Sequence, residues 1–323
     1  MEKIGVLLVN LGSPDAPTAE ALKPYLKEFL SDRRVVDIPA LLWQPILRGI
    51  ILRKRPARSA ALYAKIWLEG GSPLTVYSAS IKSKLQAWAD SKGLAWQVEL
   101  GMTYGDPSMS SAMAKLQGQG VDKLVVLPLF PQYSTTTTAA VYDAYERASK
   151  QLDYTPQLLA IQDYYKQEQH VSALAKQVEA CWQQHGRAQQ LLMSFHGTPQ
   201  ATRAKGDPYY DQCLATGKAL AEKLDLADDA YGIAFQSRFG YQEWLQPYAE
   251  PMLADMAKQG VESVQVVCPG FAVDCLETLE EVALGFEETF KEAGGKDFTY
   301  IPCLNDADDQ VEALAALVNS QLL

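Results

Sequence analysis

The stretch Leu191-Leu192-Met193-Ser194-Phe195-His196-Gly197-Thr198-Pro199 decides the fold. A short apolar run enters a Gly-Thr-Pro turn, and the residue on which it stops is a histidine. Apolar runs bounded by turn residues read as buried strands, here of a parallel sheet. In open parallel α/β sheets, ligands gather beyond the carboxyl ends of the strands, and His196 stands at such an end. A histidine there either tethers the turn through a hydrogen bond or offers a ring nitrogen to a ligand. This stretch alone leaves both open.

The same pattern occurs earlier as Leu7-Leu8-Val9-Asn10-Leu11-Gly12-Ser13-Pro14, with Leu11 where His196 stands. A second pair matches in the same order: Gly120-Val121-Asp122-Lys123-Leu124-Val125-Val126-Leu127-Pro128 and Gly260-Val261-Glu262-Ser263-Val264-Gln265-Val266-Val267-Cys268-Pro269. The chain therefore reads as two copies of one α/β unit. The interval from Gly12 to Gly197 exceeds that from Gly120 to Gly260 by roughly 45 residues, which the first copy carries as an insertion. One copy holds the histidine and the other holds the insertion. The expected division is a first domain over 1–165 with its insertion at about 33–75, a second over 166–305, and a closing helix, 306–323, packed back on the body.

Composition narrows the functional classes. Of the 323 residues, 48% are hydrophobic and 21% charged, a globular balance with material for two cores. The net charge of −10, with no basic block to offset it, argues against nucleic acid as a partner. The start Met1-Glu2-Lys3-Ile4 lacks the features of a signal peptide, and no apolar run approaches the ~20 residues that span a bilayer. A cytoplasmic protein is expected. Five cysteines, at 181, 213, 268, 275 and 303, form no C-x-x-C pair and are expected to remain reduced thiols, Cys268 as an inert buried one.

Along the first copy, strand 4–9 leads to a helix near 18–31 with Thr18 as its N-cap. The insertion contains Ile38 through Leu52, broken by Pro39 and Pro45, followed by Arg53-Lys54-Arg55. It reads as a buried helical hairpin or as an exposed apolar lip with a basic rim, facing a membrane surface or a flat hydrophobic ligand. Helix 76–92, strand 97–102, helix 108–118 and strand 123–129 follow. Thr135 through Thr138 are expected to open a helix to about 152, their hydroxyls capping its first turn. Strand 157–161 closes the copy. His170 and His185 fall on the next helix as packing or surface residues. The second copy has strand 190–195, helix 209–223, a strand entering a loop over 231–240, helix 248–259 and strand 263–268. The closing helix 308–323 shows an apolar face at Val311, Leu314, Ala315, Leu317 and Val318.

Pro269-Gly270-Phe271-Ala272-Val273-Asp274-Cys275-Leu276-Glu277-Thr278-Leu279-Glu280-Glu281 follows strand 263–268. Asp274 suits an N-cap and Glu277 the third helical position, which would make Glu277 the reciprocal member of a capping box. That reading leaves Glu281 unexplained; it lies four residues on, on the same helix face. In a doubly wound copy, His196 and Glu277 point into one crevice from the ends of two strands. A histidine and a carboxylate suit a divalent transition metal such as Fe2+, and they equally suit removal of a proton. Tyr104, Trp244 and Phe271 fall in strand-end loops, where they either pack the core or line a pocket for a flat ligand.

Six stretches in order carry a resemblance. They are Val9 through Pro14, Glu69-Gly70-Gly71-Ser72-Pro73-Leu74, Leu127-Pro128-Leu129-Phe130-Pro131-Gln132-Tyr133-Ser134, Ser194 through Pro199, Phe235-Gln236-Ser237-Arg238-Phe239-Gly240, and Cys268 through Glu281. Through them nearly the whole chain resembles the ferrochelatase family, in its Gram-negative bacterial form. The resemblance implies a chelatase-like pair of Rossmann-like, doubly wound parallel-sheet domains with protoporphyrin IX between them. It implies that Fe2+ is inserted into that ring to make haem. His196 and Glu277 match the family's catalytic, iron-binding pair, and Glu281 continues the acidic row as a further metal ligand. Leu11, Tyr104, Trp244 and Phe271 match porphyrin-binding positions, and residues 36–55 match the apolar lip, the candidate for peripheral membrane contact.

The sequence also departs from the family pattern. Cys275 stands where many members have a histidine, and Gly285 where the acidic row often continues. Thr135 stands where cluster-bearing members have a cysteine, and no tail after Leu304 supplies the others. Iron is then a substrate, with no resident cofactor and no [2Fe–2S] cluster, and a monomer is expected. The rival readings are a chelatase for another metal or tetrapyrrole, which would present more than one histidine, and a non-catalytic haem carrier, which gives the acidic row no purpose.

Overall fold

The structure is a computed structural model that describes every residue except 1, 2, 239 and 241. Phe239, inside one of the six stretches above, lies outside the described residues. The chain forms two compact units: Met1–Leu129 with Ser134–Gln162 and Ala315–Leu323, and Phe130–Tyr133 with Asp163–Leu314.

In the first unit, β1 (Ile4–Asn10), β2 (Trp96–Met102), β3 (Lys123–Pro128) and β4 (Gln157–Ala160) form a wholly parallel sheet in the order β2-β1-β3-β4. Val6, Leu7, Leu8 and Val9 are fully buried, as the central strand of a sheet covered on both faces must be. The crossover helices start where hydroxyl caps predict. Thr18, Ser72 and Ser108 accept the backbone N–H of Ala21, Thr75 and Ser111. Each such cap is worth about 1 kcal/mol. After β1 the chain turns at Gly12, whose φ is 110°. A Cβ there would lie 1.7 Å from the Tyr104 carbonyl oxygen, so only glycine lets the loops after β1 and β2 meet.

The insertion is not a buried hairpin; it packs one face on the first helix and leaves the other exposed, as an apolar lip with a basic rim would. Helix Ala40–Ile46, a π-helical turn Leu47–Ile51 and helix Leu52–Ile66 run on from one another. Leu47 and Leu52 are buried against Leu22, Tyr25 and Leu26 of the first helix. Leu41 is 92% exposed, Leu42 65%, Ile50 54% and Ile46 42%, so the face away from this core is an open apolar surface. Arg48, Arg53 and Lys54 flank it and are also exposed.

One expected cap fails. Helix Thr138–Leu152 begins without a side-chain bond from Thr137. The hydroxyl at work is that of Ser134, which accepts the Thr136 N–H at 3.2 Å and so shapes the turn ahead of the helix.

The second unit repeats the first. β5 (Gln190–His196), β6 (Tyr231–Gln236), β7 (Ser263–Val267) and β8 (Asp297–Ile301) are parallel in the order β6-β5-β7-β8, the same order copy for copy. A loop bond repeats as well: Met102 N–H donates to the Pro107 carbonyl and Phe235 N–H to that of Pro247, each at 2.8 Å. Phe195, Phe235 and Phe290 are the largest fully buried side chains among the described residues of this unit. Val311, Leu314, Ala315, Leu317 and Val318 of the last helix are all buried, as its periodicity predicts. All five cysteines are free and buried.

Candidate functional site

In a doubly wound sheet the crossovers diverge on either side of the first strand, and a ligand sits where they part. In the second unit that strand is β5, flanked by β6 and β7. His196 is its last residue and lies opposite Gln236, the last of β6. The Nδ1 of His196 is 2.6 Å from the Gly197 carbonyl oxygen. A carbonyl only accepts, so Nδ1 carries a proton and donates it to Gly197. Of the two roles the sequence left open, the tether is seen, and it occupies only one of the two ring nitrogens. The next residue has no room for a side chain: a Cβ on Gly197 would sit 2.6 Å from the Gln236 carbonyl oxygen and 3.3 Å from the Trp244 ring.

Beyond β7 the acidic stretch departs from expectation. Residues Glu277–Phe286 form a π-helix rather than an α-helix, and Glu277 closes no capping box. The Asp274 N–H instead donates to Asn305 Oδ1 at 2.7 Å. Thr278 Oγ1 takes the capping part, accepting the Cys275 N–H at 2.9 Å and donating to Asp274 Oδ1 at 3.0 Å. The buried Asp274 carboxylate also receives the Tyr300 hydroxyl at 2.5 Å and Asn305 Nδ2 at 2.6 Å. A buried carboxylate without a cation is tolerable only when donors satisfy it, and these do. Asp274 thus anchors the helix start and leaves the Glu277 side chain to other work.

Glu281 lies one turn further, half-buried. Burial pushes its carboxyl above the usual carboxylate range; the Ser237 hydroxyl and the nearby His196 pull it back, and the neighbouring Glu277 adds to the rise. His196, Glu277 and Glu281 are therefore electrostatic neighbours. Among the described residues no three His, Cys, Asp or Glu side chains converge to hold a metal, so the trio is not a closed chelate. It brings together an imidazole and two carboxyl groups, types that accept protons and replace water on a hard or borderline cation.

Two predicted aromatics adjoin this place. The Phe271 ring lies 6.4 Å from the His196 ring at 61°. Trp244 pairs with Pro199 across an antiparallel bridge beside Gly197. Leu11 and Tyr104 belong to the first unit, where the Tyr104 N–H donates to the Leu11 carbonyl at 2.9 Å. Leu11 is half-buried, while Tyr104 is 2% exposed and committed to its core. The Tyr104 hydroxyl donates to Asp32 Oδ2 at 3.0 Å, its ring meets Phe29 edge-on, and burial raises its pKa. His170 is buried against the Tyr164 ring, and His185 ends its helix.

Two neighbours of the trio, Gln236 and Ser237, received no role from the sequence, although both lie in one of the six stretches. The usable signal was position: they occupy the carboxyl end of the strand beside β5.

The ferrochelatase family model matches residues 3–322. Ferrochelatase 1 of Shewanella oneidensis is 50% identical over 318 residues, 98% of this chain and 95% of its own. Ferrochelatase of Vibrio cholerae is 49% identical over 317 residues, 98% of each chain. Among solved structures, SirB from Bacillus subtilis with Fe3+ matches 99% of this chain and 95% of its own with a TM-score of 0.60 at 10% identity. CbiX, described as the terminal enzyme for biosynthesis of sirohaem, matches 98% of each chain with a TM-score of 0.52 at 13% identity. At such identities these two speak for the shared duplicated fold alone.

Proposed function

The chain belongs to the ferrochelatase family, and we propose that it inserts Fe2+ into protoporphyrin IX to form protohaem, the terminal step of haem biosynthesis. The observation that supports this reading, beside the family match, is His196 at the switch point of a sheet, its Nδ1 tied to the Gly197 carbonyl, with Glu281 as its electrostatic neighbour and Glu277 beside Glu281.

The reaction exchanges two pyrrole N–H bonds for bonds to iron and releases two protons. Glu277, Glu281 and the His196 Nε2 draw Fe2+ in and replace part of its water; as the metal passes to the ring, Nε2 is freed to take one pyrrole proton and a carboxylate takes the other. Trp244 and Phe271, both beside His196, grip the macrocycle. A grip that holds the ring buckled, with its lone pairs turned toward the metal, lowers the barrier by differential binding. Iron is substrate here, not a resident cofactor, and the scheme needs no iron–sulfur cluster. We assign the step to the lyases and the protein to the cytoplasm as a monomer. No helix among the described residues is long and apolar enough to cross a membrane. The exposed Leu41, Leu42, Ile46 and Ile50 with their basic rim fit peripheral contact with an anionic lipid surface, from which an apolar porphyrin would enter.

The test is anaerobic. Protoporphyrin IX and Fe2+ are mixed with catalytic amounts of protein, and the loss of porphyrin fluorescence is followed. Many turnovers, abolished in His196→Ala and in Glu277→Gln, are expected. Stoichiometric binding of porphyrin or haem without turnover refutes the reading in favour of a carrier.

A further inference from the structure

Where β6 ends, Ser237 has a φ of 67°. The other non-glycine residues with positive φ among those described are Asp153, Asp225 and Asn305, types that tolerate the left-handed region. Serine does so less readily, and such a backbone persists only where its surroundings over-determine it. Here the Ser237 N–H donates to Glu281 Oε1 at 2.7 Å and its Oγ to Glu281 Oε2 at 2.5 Å. One residue thus sets two donors on the two oxygens of one carboxylate.

Gln236, just before it, is buried and fully engaged. Its Nε2 donates to the Glu277 carbonyl at 2.9 Å, and its Oε1 accepts the Ser194 hydroxyl at 2.7 Å. Its own carbonyl accepts the Gly197 N–H at 2.8 Å. Two consecutive residues of one strand end therefore hold the residue after His196, the backbone of Glu277 and the carboxylate of Glu281.

We propose that Gln236 and Ser237 are a positioning pair that registers the acidic face of the π-helix against His196, with Ser237 fixing the Glu281 carboxylate for the incoming divalent metal. The proposal rests on the reading that this site takes Fe2+ for insertion. A carboxylate holding two donors keeps further lone pairs for a cation or its water, so the clamp aims Glu281 without blocking it. Released, the side chain spreads over several rotamers and meets the metal in only a fraction of them.

Steady-state insertion of Fe2+ into protoporphyrin IX is measured for wild type, Ser237→Ala and Ser237→Gly, varying metal and porphyrin in turn. Both variants lose the hydroxyl; Ser237→Gly also relieves the backbone and carries the test if Ser237→Ala does not fold. Loss of a hydrogen bond to a charged group predicts a KM for the metal raised roughly tenfold in both. The KM for porphyrin and kcat should stay within about threefold. A Ser237→Gly variant with the wild-type KM for metal overturns the proposal and leaves Ser237 a chain-bending residue. So does a porphyrin KM that rises in step with the metal KM. Wild-type protein that binds porphyrin without turnover overturns instead the functional reading, and the metal role of Ser237 with it.

Discussion

His170 gives a prediction that separates a packed histidine from a working one. It is 2% exposed, its Nε2 has no hydrogen-bond partner, and burial lowers its pKa from 6.5 to about 4. The unfolded chain therefore binds this proton between those two values and the folded chain does not. Stability is intact above about pH 6.5 and falls as the pH drops, until the folded state also protonates near 4. The displacement is worth about 3 kcal/mol in full, most of it spent by pH 4.5. In His170→Met the apolar side chain fills similar space and titrates nothing. Urea unfolding at pH 7 and pH 4.5 should show wild type losing about 2 to 3 kcal/mol more than the variant across that interval, with unchanged m-values. At pH 7 the variant should match or exceed wild type, because a buried unpaired nitrogen is gone. Parallel losses in the two proteins would refute the reasoning and show that His170 finds water or a partner in the folded state.

Gly197→Ala brings a Cβ to 2.6 Å from the Gln236 carbonyl oxygen, so the strand ends must part beside His196; metal insertion should fall by more than tenfold, with a stability loss of about 1–3 kcal/mol in urea. Tyr300→Phe removes one donor from the buried Asp274 carboxylate, and the same measurement should show a loss of about 1.5–3 kcal/mol. Replacing Leu41 and Leu42 together by serine should change folding stability by less than about 0.5 kcal/mol, since both are exposed, yet weaken binding to anionic vesicles in a flotation assay.

Much of the frame was legible because one physical rule governed each part of it. Short apolar runs bounded by glycine and proline turns read as buried strands, so β1 and β5 stood out, and their repetition disclosed the second sheet. Thr18 caps its helix because nothing else competes for its hydroxyl. His196 was legible for the same reason, as a polar residue at the end of a run that tolerates none.

The acidic segment was harder to read because tertiary contacts outbid local ones there. Asp274 and Glu277 have the spacing of a capping box, but Asn305 takes the Asp274 N–H and Thr278 supplies the cap. Asn305, 31 positions downstream of Asp274, takes the donor that the local pattern had assigned to Glu277. The Glu277 carbonyl then shares its lone pairs with Gln236 Nε2. A side-chain donor in the first turn disturbs the i→i−4 ladder, and wider i→i+5 bonding is one way a helix accommodates it. Nor could a serine in the left-handed region be read from sequence, where glycine or asparagine would have signalled it. The illegible residues share one property. Each is held by a partner distant in sequence, and together they set the distance from Glu277 and Glu281 to His196, on which the proposed chemistry depends.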